Sequence, residues 1–409
     1  MYDWAVLWEW VEIAVRWTHV ITAIAWIGSS FYFIALDLGL HRDRNLASGA
    51  DGEEWQVHGG GFYHIQKYLV APEAMPDHLI WFKWESYFTW LSGFVLLVLV
   101  YYLGAELYLI DPTVLELTTP AAVAISLASL AFGWVAYNTL CKVFVNADQN
   151  LLMLALFAVL VGMSWFYTQV FSGRAAMLHL GAFTATIMSA NVFFIIMPNQ
   201  RIVVADLKAG RKPDPKYGKI AKQRSTHNNY LTLPVIFLML SNHYPLVFAT
   251  EYNWIIASLV FLMGVTIRHW FNTQHARKGS PHWTWGVTVI LFLVIAWLST
   301  APMRVTDEQA MRGAALTYAS ADGFEDVVGI VQGRCSMCHA AEPAWEGMLW
   351  PPKGVVLETE AQIAQEARRI YLQSGITHAM PPGNLSWMEP AERAAIVRWF
   401  RGAGADDPV

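Results

Sequence analysis

Long apolar runs separated by short polar segments fill the first three-quarters of the chain. Runs of about 18 or more apolar residues are long enough to cross a bilayer as helices. They predict about eight spans, near Val11–Leu36, Trp84–Leu103, Pro120–Cys141, Asn150–Phe171, Ala175–Met197, Tyr230–Phe248, Trp254–Phe271 and Thr284–Ala301. The sixth is interrupted by Pro234 and by Ser241-Asn242-His243, which a helix tolerates where it faces protein or a cavity. The apolar excess stops near Pro302, and Pro302–Gln309 reads as a linker into a charged, soluble tail. Within the tail, Gly323–Gly333, Glu358–Gly375 and Pro390–Arg401 read as helices, with Pro390 suited to a start and Gly402 to a stop. The pattern therefore predicts an all-α chain: a polytopic membrane bundle over residues 1–302 and a small helical domain over 303–409.

One polar segment has a pattern of its own. Between Asp37 and Lys83, short alternating runs flank Gly59-Gly60-Gly61, which predicts a hairpin around a permissive turn. Its aromatic residues argue against disorder.

Composition supports the membrane reading. Of 409 residues 55% are hydrophobic and 14% charged, a balance unsuited to a soluble protein of this size. Nothing suggests nucleic-acid binding. Lys and Arg concentrate in Asp37–Lys83, Gln200–Asn229 and Asn272–Trp283, whereas Gly104–Thr119 and His243–Asn253 have none. The positive-inside rule then places the first three segments in the cytoplasm and both termini outside it. The first fifteen residues hold no Lys or Arg, so no basic leader is expected. Trp4, Trp8, Trp10, Trp81, Trp84, Trp283 and Trp285 cluster at span ends, as interfacial anchors do.

The tail carries Cys335-Ser336-Met337-Cys338-His339, the attachment string of a c-type haem. Two thiols reach the two vinyl groups from one turn of chain, and His339 lies beneath the iron. Met380, before Pro381-Pro382-Gly383, is the expected second axial ligand, with Met348 and Met388 as rivals. Zinc would need four ligands, and the remaining cysteine, Cys141, lies far upstream in an apolar run. The tail is thus expected to be a class I-like cytochrome c domain wrapped around one haem, short of large apolar residues for a core without it. Haem is attached to such strings outside the bacterial cytoplasmic membrane, which agrees with the charge rule.

A cytochrome needs an electron source, and paired imidazoles hold b-type haem. His19, His179 and His243 fall in the outer half of the predicted bundle. The expectation is that His19 and His179 ligate a non-covalent haem, with His243 as substitute partner. The alternative is that each bonds a polar group on a neighbouring helix.

These residues together resemble the bacterial membrane-bound urate oxidases that carry a C-terminal cytochrome c. The matching strings are Trp17-Thr18-His19-Val20, His58-Gly59-Gly60-Gly61-Phe62-Tyr63, Trp81-Phe82-Lys83-Trp84-Glu85, His227-Asn228-Asn229-Tyr230, Ser241-Asn242-His243-Tyr244-Pro245, and Cys335 to Met380. Trp17–Phe33 also resembles the first helix of a bacterial membrane protoporphyrinogen oxidase family, where a histidine binds haem. The resemblance implies that urate loses two electrons and gains water to give 5-hydroxyisourate. The electrons would pass to the c-type haem, then to a soluble cytochrome c or a terminal oxidase, without direct use of oxygen. A substrate site in the inner half would lie between the His58–Lys67 hairpin, Glu85 and the His227–Tyr230 stretch, with His58, His227 or Glu85 as general base. The competing reading is a membrane quinol:cytochrome c-type electron carrier with no purine substrate.

Overall fold

The computed structural model describes residues 4–42, 45–68, 76–145, 148–300, 311–348 and 351–403. Among the described residues, eight longer helices occupy the membrane-like part: α1 (Trp4–Gly39), α2 (Trp84–Tyr102), α3 (Thr119–Val143), α4 (Gln149–Val170), α5 (Gly173–Lys208), α6 (Pro215–Ser241), α7 (Asn253–His275) and α8 (Trp283–Leu298). Among the described residues, six are long and apolar enough to cross a membrane, namely all but α6 and α8. α8 has only 16 residues, and α6 is polar along its first half.

α6 corrects the sequence reading. It begins at Pro215, not Tyr230, and ends at Ser241, not Phe248. The Asp214 carboxylate accepts the Lys216 N–H at 2.9 Å, and Pro215 occupies the first helical position, so the start is well defined. Pro245–Phe248 forms a separate turn. The segment Gln200–Asn229, read as a cytoplasmic loop, is largely the end of α5 and the first half of α6. An apolar window misses a helix that continues through polar residues.

Small residues let the helices approach. Gly264 on α7 faces Pro234 on α6, and a Cβ there would lie 2.5 Å from Pro234 Cδ. Pro234 thus interrupts α6 where a neighbour leaves room for its ring. Gly264→Val is expected to cost about 1–3 kcal/mol by overpacking, read as a lower melting temperature in detergent. α5 is the most enclosed helix, with His179, Phe183, Ile187 and Asn191 fully buried. A wider π-helical turn runs through Asn191–Ile196.

The hairpin forms as expected. β1 (Ala50–His58) pairs antiparallel with β2 (Gly61–Tyr68), and Gly59 and Gly60 between them have positive φ. It packs at one end of the bundle. Tyr32 of α1 donates to Gln56 at 2.8 Å, Arg277 beyond α7 donates to His41 at 2.6 Å, and Asp37 takes both Lys67 and Lys222. The tail sits at the other end. Arg368 meets Glu9 at 3.1 Å and the Tyr108 hydroxyl at 3.3 Å, while Gly313 abuts Pro112 and Gly354 abuts Pro245. The loops therefore group by end as their charges grouped them.

The tail has its own core, contrary to the expectation that it lacks one. Its helices are α9 (Phe324–His339), a broken segment over 360–376, and α10 (Pro390–Ala403). Val327, Val331, Ile363, Ala364, Ala367, Ile396 and Trp399 are buried together. Trp399 stacks on Phe324 at 5.7 Å and donates its indole N–H to the Tyr318 carbonyl at 2.9 Å. The linker Pro302–Gln309, with the division at 302/303, lies outside the described residues.

Candidate functional site

α6 presents a polar face in mid-helix. Arg224, His227 and Asn228 are spaced three and four residues apart, which aligns them on one side. Tyr137 and Asn138 of α3 and Asn191 of α5 meet this face. The Asn191 amide donates to the Tyr137 hydroxyl at 3.1 Å and to Asn228 Oδ1 at 2.9 Å. The Tyr137 hydroxyl lies 2.8 Å from His227 Nδ1, and with Nδ1 unprotonated it donates there. Asn228 in turn donates to the Met188 carbonyl at 2.9 Å.

Arg224 is the anomaly in this cluster. It is 3% exposed, lies 4.8 Å from the Tyr137 ring centroid, and donates once, from Nη2 to Asn138 Oδ1 at 3.0 Å. Its Nε and Nη1 are buried without partners, as is the Asn191 carbonyl oxygen. Among the described residues no carboxylate pairs with it. An enclosed guanidinium with idle donors is costly unless an anion completes it. The arrangement supplies a planar cation, an amide acceptor and a Tyr–His pair, which suits a flat anion bearing N–H groups and carbonyls. By helix rise, His227 lies about 20 Å from either end of α6. It therefore lies within α6 rather than ahead of a span beginning at Tyr230.

A second buried cation, carried by α7, meets α6 at Asn229. Arg268 of α7 is 5% exposed, and its Nε and Nη2 each donate to Asn229 Oδ1 at 3.2 Å. Nη2 also reaches Asn272 Oδ1 at 2.9 Å, and the Phe31 ring lies 4.1 Å away.

Among the described residues, no hydrogen bond joins His58 or Glu85, the other two expected bases, to this cluster. His58 is exposed at the hairpin turn. Glu85 lies in the first turn of α2 with Oε2 buried and unpartnered. Its neighbour Ser86 bonds Ser189 of α5 at 3.2 Å. Arg224, Tyr137, Asn191 and Arg268 were missed as site residues by sequence reasoning. The signal was the spacing of Arg224, His227 and Asn228, but it is visible only if α6 is started at Pro215.

His179 does not fit the expected haem-ligand role. Ser126 Oγ lies 2.8 Å from Nε2 and the Ala175 carbonyl 2.8 Å from Nδ1, so both nitrogens are engaged. Tyr101, Tyr167 and Phe171 crowd its ring. His19 turns instead onto α2, with Nδ1 3.0 Å from the Thr89 carbonyl and its ring in the notch at Gly93. The two histidines are therefore not brought face to face. His243 is exposed at the tail end of the bundle, where burial and then Arg16, Lys353 and Arg174 hold its pKa below the ordinary value.

The tail residues do fit a covalent haem. Cys335 and Cys338 are unpaired thiols one turn apart at the end of α9. His339 Nδ1–H donates to the Val355 carbonyl at 2.9 Å, which leaves Nε2 as the nitrogen to offer iron. Met388 is 2% exposed in the tail core, whereas Met380 is half-buried on its loop. Arg393 holds that loop through the carbonyls of Ser374 (2.6 Å) and Met380 (2.9 Å) and through Asn384 (3.1 Å). Among the described residues no cluster of three or more His, Cys, Asp or Glu forms a metal site. A haem iron held by one His and one Met needs no such cluster.

Arg334, just before the string, clamps Glu392 of α10 with Nε 3.0 and 3.1 Å from its two oxygens. Burial alone would raise the Glu392 pKa, but the Arg334 bonds and the Glu389 N–H hold it below its ordinary value of 4.5. A lowered carboxylate contributes stability above the unfolded pKa and loses it as pH falls through the folded one. Tail melting, followed by Soret dichroism, is expected to drop below pH 4.5, the ordinary value. Glu392→Gln is expected to shrink that acid drop.

No curated protein and no solved structure matches the chain. A family match does extend over residues 5–299, covering all eight bundle helices but for the first residue of α1 and including both buried arginines; the chain belongs to the urate oxidase N-terminal family.

Proposed function

We propose that the chain is a membrane oxidoreductase that converts urate to 5-hydroxyisourate at the Arg224–His227 cluster and delivers the electrons to a haem on its tail. The observation that carries this reading is Arg224: a buried cation with two idle donors beside a Tyr–His pair, in a chain of the urate oxidase N-terminal family. Urate is a planar monoanion at neutral pH. Arg224 Nε and Nη1 would take a urate carbonyl and ring nitrogen, and the Asn191 carbonyl oxygen would accept a urate N–H. The balance is urate monoanion plus water giving 5-hydroxyisourate, one proton and two electrons. The water adds at C5. Its proton passes to the Tyr137 oxygen as the Tyr137 hydrogen moves to His227 Nδ1.

The covalent haem supplies a one-electron acceptor, so each turnover fills it twice. Cys335 and Cys338 would anchor it, His339 and Met380 would ligate it, and a methionine ligand favours a high potential. A soluble cytochrome c or a terminal oxidase would drain it. No step is assigned to a membrane haem. The bundle would span the bacterial inner membrane eight times, with the hairpin end cytoplasmic and both termini and the tail outside.

The test is anaerobic addition of urate to oxidised, purified holoprotein. The reduced c-haem band is expected to grow with two electrons per urate consumed. Reduction by a quinol but not by urate would replace this reading with the electron-carrier one.

A further inference from the structure

A cleft opens at the hairpin end of the bundle, away from the tail. Its volume is about 340 Å³, within the range of small-molecule pockets, and Tyr32, Gly39, Glu54, Gln56, His275 and Arg277 line it. We propose that this cleft admits the anionic purine and that Arg268 beneath it is the first anion-binding station on the way in. The proposal rests on the urate reading above and adds the route and the residue that receives the substrate.

His275, Asn272 and Arg268 occupy one stripe of α7, spaced three and four residues apart. The stripe leads from the cleft wall to the buried guanidinium. Unpartnered polar atoms mark the path: His275 Nδ1 at the cleft, and the Asn229 amide nitrogen on a residue that is fully buried. Arg268 has no carboxylate partner among the described residues, only the oxygens of Asn229 and Asn272. The Phe31 ring centroid lies 4.1 Å and the Phe271 centroid 5.8 Å from the guanidinium carbon, aromatic contacts that hold the cation in place. Asn229, which meets α7, directly follows Asn228, which meets α5, so α6 carries station and reaction site on faces turned about 100° from each other.

The hairpin forms one wall of the cleft. It is held by Tyr32 against Gln56, and by Arg277, which binds His41 and approaches Glu54 at 3.5 Å. Glu54 is the one carboxylate among the lining residues, and Arg277 faces it.

The experiment tethers the wall. Tyr32→Cys and Gln56→Cys are combined in the full-length holoprotein, where Cys141 is buried and Cys335 and Cys338 are consumed by haem. A short bismaleimide bridges the pair, and a monofunctional maleimide gives the comparison. Urate association is followed by tryptophan fluorescence on dithionite-reduced protein, which can accept no electrons and so binds without turnover. The bridge is expected to slow association at least tenfold relative to the monofunctional label. Arg268→Gln is expected to raise KM with kcat retained, and Arg268→Lys to raise it less. Equal association rates with and without the bridge would overturn the proposal. Urate that binds through the cleft but never reduces the haem of the unmodified protein would overturn the oxidation reading and leave the route standing.

Discussion

Arg224→Gln is expected to lower kcat/KM for urate-dependent haem reduction by about 100-fold or more. Two charge-assisted hydrogen bonds to an anion are at stake, each of about 1.5–3 kcal/mol, and about 1.4 kcal/mol is tenfold. Glutamine keeps an amide donor but neither the charge nor the fork. Arg224→Lys keeps the charge without the fork and is expected to fall between. Stability should move the other way. Arg224 is 3% exposed with two idle donors, so removing its charge relieves a burial cost and the melting temperature should hold or rise. Loss of activity together with a lower melting temperature would make Arg224 a structural residue. Unchanged kinetics would remove it from the site.

Cys335→Ser with Cys338→Ser is expected to abolish covalent haem, read as loss of haem staining on a denaturing gel. Urate-dependent reduction should fall at least about 1,000-fold, because the terminal one-electron acceptor is gone. Urate binding in the bundle should remain, since Arg224, His227 and Asn191 lie in the membrane domain. Helical dichroism of the tail should also persist in large part. Trp399, Val327, Val331 and Ile396 form a core against which Cys335 packs from its edge, and serine keeps nearly the same volume there. Urate oxidation that continues at full rate in this variant would mean that the electrons leave by another route.

Much of this chain could be read from local pattern. The turn at Gly59-Gly60 forces its own backbone sign, so the hairpin appeared where the glycines stood. The last tail helix followed from Pro390 at its start and Gly402 near its end, whereas the segment read as one helix over Glu358–Gly375 is broken. The placement of α6 failed, because apolar windows end where Arg224–Asn229 begin, although the backbone runs on from Pro215. That error hid the aligned Arg224, His227 and Asn228 and left His227 ahead of a span beginning at Tyr230. Depth along a span also misjudged His179. Its ring faces Ser126 and the Ala175 carbonyl rather than another imidazole. Rotation about a helix axis is set by packing partners, and a linear count of residues carries none of that.

The sequence alone determined the apolar bundle, the Cys335–His339 string and the division of loops between two ends. Each depends on composition or spacing within a few residues, where covalent geometry and solvent preference act directly. Tertiary structure decided which polar residues meet. Tyr137 and His227 are ninety positions apart, as are Arg224 and Asn138 to within a few. Only the packing of α3, α5 and α6 encloses them together, and only that enclosure leaves Arg224 Nε and Nη1 buried without partners.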